Sequence, residues 1–335
     1  MLNKLYEYIK KDIKQNYKGY IIFLLIVPWL FITFDYNIYA PGGLIDLADR
    51  IEIDTNNKID GSFNMTYVSA KKGILPAILL SYIIPSWDLV SLDESRIEEE
   101  NEDEIIKRNQ IYLKETSYDA IIAAFKEANM AYEIENINLT VSYIFEEAKT
   151  NLELGDIIKK VNNTKITDYK SLQETIKKLK IGDVINITVN RNNKIIETSA
   201  TLIESNNTPV IGISLTELKD IKTNPEVKYI FKNNESGASR GLMCALEIYN
   251  KITEYDLTKG DVISGTGTID ENGKVGAISG IKYKLSGAVK KGAKVFIVPS
   301  ENYEEALKYK KERNYDIEII EANTLHNVIE KLKNR

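Results

Sequence analysis

Residues Gly19 to Phe34, GYIIFLLIVPWLFITF, contain no charge, and they follow a segment with Lys4, Lys10, Lys11, Lys14 and Lys18 set against Glu7 and Asp12. As a helix this run is about 24 Å long, a little short of a hydrocarbon core of about 30 Å. Lys18 can snorkel at one end, and Trp29, Tyr36 and Tyr39 supply interfacial aromatics at the other. The pattern predicts a cytoplasmic N-terminus over 1–18, one transmembrane helix over 19–39 and the remaining chain outside the cell membrane, because lysines stay on the cytoplasmic side. A cleaved signal peptide would have an unusually long positive region, and Pro41 after Ala40 makes a poor cleavage site. A buried core helix fits badly with so many flanking lysines. A second apolar run, ILPAILLSYIIPSW over 74–87, is short and has Pro76 and Pro85 near its ends, so it reads as a helix of the core.

Composition narrows the chemistry. The net charge is −5 and no basic cluster is interleaved with aromatics, which argues against a nucleic-acid partner. One cysteine, Cys244, excludes an internal disulfide framework, and with His326 as the one histidine no Cys- or His-based metal site is expected. No cofactor is expected either.

Residues 40–70 alternate as strands, with Ile51 and Ile53 and then Phe63, Met65 and Tyr67 at apolar positions. RIEEENEDEIIKRNQ is an acidic, helix-favouring solvated stretch, and SYDAIIAAFKEANM over 117–130 is an amphipathic helix. From 131 to 205 the texture becomes short strands around one helix, Tyr169 to Leu179, with turns at Asn162-Asn163 and Gly182-Asp183. This order resembles a PDZ domain of the kind found on bacterial envelope proteases. The resemblance implies capture of extended peptides by strand pairing. The segment INLTVSYI lacks the family's glycine-rich carboxylate loop, which leaves capture of a free C-terminus open. Residues 206–335 alternate helices and strands, and a hairpin is marked by Asn272-Gly273.

In NNESGASRGLMCALEIYN, Ser239 stands where a turn of small residues becomes an apolar helix. His326 lies in a C-terminal helix pattern, which leaves lysine as the other candidate base: burial lowers its preference for the charged form. The segment SGIKYKLSGAVKKGAK offers two lysines. Lys282 falls in the first turn of a helix, where dipole and desolvation disfavour the ammonium, and Lys284 is roughly opposite around the axis. Only one of the pair can easily face inward.

These residues resemble the proteolytic domain of Lon-type (S16) serine peptidases, in the membrane-anchored, PDZ-containing branch of Gram-positive bacteria. The family's Gly-Pro-Ser-Ala-Gly turn is matched by Gly237-Ala238-Ser239-Arg240-Gly241, its lysine segment by Ser279-Gly280-Ile281-Lys282-Tyr283-Lys284, and its Thr-Gly pair by Thr266-Gly267. The resemblance implies an α+β fold over 206–335, with 40–130 contributing strands and the PDZ-like domain inserted or preceding. It implies that Ser239 is the nucleophile, Lys282 the base and Thr266 its orienting partner, with backbone N–H groups of the turn serving the oxyanion. Ala238 replaces proline and loosens the turn. Arg240 replaces a small residue; it either crowds the acyl pocket or holds the lysine deprotonated by like-charge repulsion.

The run Gly287 to Ala293 lacks the lysine and hydroxyl of a phosphate-binding loop, so no nucleotide is expected. The expected function is ATP-independent endopeptidase cleavage of exported peptides or unfolded segments at the outer membrane face. The alternative is an inactive membrane-bound PDZ adaptor, which Arg240 favours. A homo-oligomer is compatible with either.

Overall fold

The computed structural model describes residues 2–55, 57–92, 96–97, 100–232 and 235–335. Glu98 and Glu99 of the acidic stretch, and Asn233 and Asn234 at the head of the serine motif, lie outside the described residues. The chain divides into two compact units, one made of residues 1–41 and 68–95, the other of 42–67 and 96–335.

In the smaller unit, helix α1 (Leu2–Ile26) is followed by a 3-10 turn, Val27–Phe31, with Pro28 in its first positions. Proline lacks an amide hydrogen and its ring clashes with the preceding turn, so the α-helix stops where the apolar run is only half complete. A strand, Thr33–Asp46, starts two residues later. The expected helix over 19–39 is therefore not one helix, and among the described residues no helix is long and apolar enough to cross a membrane. The second apolar run also differs from its expectation. It forms a short helix, α2 (Leu75–Ser81), that contains no buried residue. Within this unit Tyr36 to Tyr39 pair antiparallel with Asp88 to Ser91.

The larger unit is built on a mainly parallel arrangement. Val262–Gly265 lies between Ser62–Ile74 and Val295–Pro299, parallel to both, and Glu318–Ala322 extends the sheet beyond Val295–Pro299. The strand alternation expected over 63–67 holds only in part, since Phe63, Asn64, Met65 and Thr66 are all buried. A strand covered on both faces loses the period-two pattern. The acidic stretch and the amphipathic segment join into one helix, α3 (Glu102–Glu127), opened by a capping box between Asn101 and Glu104. Its small residues Ala120, Ala123 and Ala124 are fully or nearly fully buried and belong to one core with Leu242, Ala245 and Leu246 of α5 (the fifth helix, Gly241–Ile252).

The long strand Tyr132–Ile144 and its antiparallel partner Ile213–Thr223 form a ribbon that begins at the end of α3. Between them residues 145–212 fold around a separate core of Leu139, Val141, Ile158, Ile185, Ile187 and Val189 with α4 (Tyr169–Ile176) laid against it. The sheet runs from Ile213–Thr223 at one edge through Tyr132–Ile144 and Ile157–Val161 to Val184–Arg191 and Lys194–Thr201. Helices α6 (Ile281–Lys290), α7 (Ser300–Arg313) and α8 (Leu325–Lys333) complete the C-terminal part.

Candidate active site

Ser239 sits in a turn directly before α5, half-buried, and its backbone is held from two sides. The Gly237 N–H donates to the Asn109 carbonyl at 3.0 Å, and the Thr116 hydroxyl donates to the Ala238 carbonyl at 3.2 Å, both from α3. On the other side the Gly267 N–H and the Thr266 hydroxyl donate to the Ser239 carbonyl at 2.8 and 3.0 Å. Gly237 has φ +90°, a left-handed conformation that glycine adopts without strain. The N–H groups of Gly237, Gly241 and Leu242 are engaged by carbonyls of Asn109, Ala238 and Gly267. The expected oxyanion donors therefore narrow to Ala238, Ser239 and Arg240.

The lysine that bonds Thr266, the residue holding the Ser239 carbonyl, is Lys284, whereas the family resemblance implied Lys282. Helix α6 opens at Gly280, and it buries Ile281 and Tyr283 to Ala288 while leaving Lys282 half-exposed, its ammonium 5.1 Å above the Tyr283 ring. Positions 281, 284, 285 and 288 share one helical stripe, so the apolar Ile281, Leu285 and Ala288 carry Lys284 inward with them. Its Nζ donates to Thr266 Oγ1 at 3.1 Å in a buried environment. Burial pushes the Lys284 pKa down from 10.5 to about 8.

Thr266 is fully buried, and its N–H is fixed to the Ile297 carbonyl of the neighbouring strand. Because its one O–H donates to the Ser239 carbonyl, its oxygen is left to accept from the lysine. A neutral amine that donates one N–H to Thr266 keeps a lone pair for a proton. The arrangement suits a hydroxyl nucleophile with an amine base, and it presents no set of metal ligands: among the described residues no cluster of His, Cys, Asp and Glu could hold a metal ion.

Arg240 neither faces the lysine nor crowds the turn from outside. Its buried guanidinium donates to Glu235 Oε2 at 3.2 Å and to the Ser236 carbonyl at 3.3 Å, and it stacks 4.7 Å from the Phe231 ring centroid. Glu235 also accepts from Arg50 Nε at 2.9 Å. A positive charge at a helix N-terminus opposes the dipole, and the Glu235 carboxylate offsets it. Arg240→Ala is expected to lower stability by about 1–3 kcal/mol, through lost stacking and an under-satisfied Glu235. It should leave the alkaline limb of activity in place, because burial is what depresses Lys284. Denaturant unfolding and kcat/KM against pH check both statements, and a displaced limb would restore the like-charge account.

His326 and Cys244 take no part in the site. His326 is exposed and pairs with the Glu127 carboxylate at 2.7 Å, which raises its pKa. Cys244 is buried in α5, and burial pushes its thiol up to about 12, so it is inert.

A groove of about 520 Å³ lies between α4 and the start of the edge strand Ile213–Thr223, lined by Leu172, Ile176, Val210, Ile211, Ile213 and Leu215. Among the described residues no strand pairs with the outer side of this edge. At the head of the groove Gly212 has φ +83° between Ile211 and Ile213. INLTVSYI holds no glycine, and the glycine beside this groove is Gly212 in PVIGIS, after the short hairpin of Ile203–Ser205 and Thr208–Val210.

Residues 232–334 match the family model of the Lon protease (S16) C-terminal proteolytic domain, and residues 139–202 that of the PDZ domain. Among solved structures the chain is similar to the PDZ domain of the SdrC-like protein of Listeria monocytogenes. Identity there is 20%, the match covers 25% of this chain and 92% of that one, and the TM-score is 0.23. The PDZ domain of the SdrC-like protein of Listeria innocua matches at 27% identity, over 23% of this chain and 92% of that one, with a TM-score of 0.22. No curated protein matches the chain. The chain thus carries a PDZ domain and a Lon-type proteolytic domain.

Proposed function

We propose that the chain is an ATP-independent serine endopeptidase, tethered to the outer face of the cell membrane, with Ser239 as nucleophile and Lys284 as general base. The observation that carries this reading is the buried amine of Lys284 on the Thr266 hydroxyl, which in turn holds the Ser239 carbonyl. Ser239 Oγ attacks the scissile carbonyl carbon while its proton passes to neutral Lys284 Nζ. The tetrahedral oxyanion is met by backbone N–H groups of the 238–240 turn, a type of donor often worth about 3 kcal/mol of barrier. Collapse expels the amine, which takes the proton from Lys284, and leaves an acyl-enzyme. Water, losing its proton to the same lysine, then releases the acid and regenerates Ser239. Thr266 is a positioning residue in this scheme.

The PDZ domain supplies substrate. An extended segment pairs with the edge strand Ile213–Thr223 and lays alternate side chains into the groove beside α4. The substrates are exported peptides or unfolded segments, which need no ATP-driven unfolding. The membrane tether rests on the apolar, lysine-flanked segment before Thr33, whose residues from Ile21 to Ile26 are all exposed. The adaptor reading drew its support from Arg240, and that guanidinium is taken up by Glu235, Ser236 and Phe231.

Labelling by a fluorophosphonate, followed by peptide mapping, tests the assignment. The adduct is expected on Ser239, at a rate that rises with pH through about 8 as Lys284 loses its proton. A folded protein that takes up no label at any pH would leave the endopeptidase reading without a nucleophile.

A further inference from the structure

The apolar segment over 74–87 has no place in the core, and its exposure demands an account. Helix α2 buries none of its residues, and Leu79, Leu80, Tyr82 and Ile83 are 57, 43, 78 and 74% exposed. A disordered loop would average away such a surface, but this one is built. The Ile83 and Ile84 N–H groups donate to the Leu80 carbonyl, Trp87 closes onto Ile84, and the outgoing chain pairs with Tyr36 to Tyr39. Helix α2 also lies beside the 3-10 turn Val27–Phe31, where Trp29 and Phe31 are 64 and 70% exposed. Two segments distant in sequence thus combine into one exposed apolar patch, larger than scattered surface hydrophobics require.

We propose that α2 and the turn after it form a second membrane-contacting element, which enters the lipid interface beside the end of α1. The inference deepens the tether of the proposed function and rests on it. Charge and side-chain type select a bilayer as the occupant. Lys10, Lys11, Lys14 and Lys18 are exposed on α1, and Lys71 and Lys72 stand exposed at the root of the second segment. Cations beside an apolar surface complement anionic headgroups, and Trp29 and Tyr82 have the amphipathic rings favoured at that depth. A second copy of the chain would bring these lysines against one another. Two contacts, unlike one, fix the orientation of the smaller unit on the membrane.

The test uses the full chain in vesicles of phosphatidylcholine and phosphatidylglycerol, with a nitrobenzoxadiazole label on one introduced cysteine at a time. Cys244 is buried and does not compete. Tyr82→Cys and Ile83→Cys report the second element, Phe23→Cys the tether, and Val184→Cys, 69% exposed on the PDZ sheet, the solvent. Labels at 82 and 83 are expected to shift to the blue, to be quenched by shallow nitroxide lipids and to lose quenching by iodide, while the label at 184 stays accessible to iodide. Iodide access at 82 and 83 with lipid quenching at 23 would overturn the second contact and leave the tether standing. Iodide access at all three would overturn both. Labels at 82 and 83 shielded from iodide but not quenched by lipid would mean that a protein, a second copy included, covers the patch, and would likewise overturn the proposal.

Discussion

Lys284→Met is expected to abolish peptide cleavage and to stabilise the protein in the same substitution. A positioned general base contributes about 10²–10⁴ in rate, and without it Ser239 keeps its proton, so kcat/KM should fall by at least about 10². The stability gain follows from linkage. The folded-state pKa, about 8, lies below the ordinary 10.5 of the unfolded chain. Below about pH 8 the folded protein must either hold a buried ammonium or give up its proton, at a cost of up to about 3 kcal/mol. The penalty is full below the folded pKa, fades as pH rises toward the unfolded one and vanishes above it. The rise in Tm of Lys284→Met should therefore be largest at neutral pH and shrink as the solution is made alkaline. Lys284→Arg should be inactive, since guanidinium stays protonated. Lys282→Arg should keep both activity and the pH limb, and Ser239→Ala should lose activity without the gain in stability. Survival of cleavage in Lys284→Met together with its loss in Lys282→Met would return the base to position 282.

Several features of the site were written plainly in the sequence, and the misplaced lysine shows where such reading fails. The serine turn, the Thr266-Gly267 pair and the PDZ-like texture are local patterns, and the first two end up in one site because the topology brings their segments together. The choice between Lys282 and Lys284 depended on which helix face turns inward. The dipole argument applied to any residue of the first turn, whereas Ile281, Leu285 and Ala288 already marked the buried stripe, and 284 belongs to it. Arg240 was misread because its partner Glu235 lies in the preceding loop, and that carboxylate is shared with Arg50, 190 positions before Arg240 in the chain. The run over 74–87 was misread for a different reason. Apolarity states that a segment leaves water, and it does not state whether protein or lipid receives it. Pro28, finally, stands inside the span expected over 19–39, and the α-helix ends before it because proline has no amide hydrogen and its ring clashes with the preceding turn.

Gly241→Ala is expected to be the most damaging conservative change near the nucleophile. Gly241 is helical, so its backbone strains nothing. The constraint is space. A Cβ there would fall well inside contact with Thr116 Oγ1 and 2.9 Å from Ile269 Cγ2, with the Ile269 backbone nitrogen at 3.1 Å. Thr116 is β-branched, buried in α3 and tied to the Ala238 carbonyl, so it cannot swing aside, and the strand carrying Ile269 cannot move without the hairpin. The start of α5 must shift instead, and Ser239 shifts with it, two residues away. Overpacking of this kind costs about 1–3 kcal/mol of stability, and displacement of the reacting oxygen by about 1 Å costs about 10² in rate. Thr116→Ala removes the nearest obstacle at the expense of one hydrogen bond. The double variant Gly241→Ala/Thr116→Ala should therefore be more stable and more active than the sum of the single changes allows, a coupling that a double-mutant cycle on both unfolding free energy and kcat/KM measures. Additive losses would mean that the turn is held by something other than its close approach to α3, and that the serine owes its position to the Thr266 side alone.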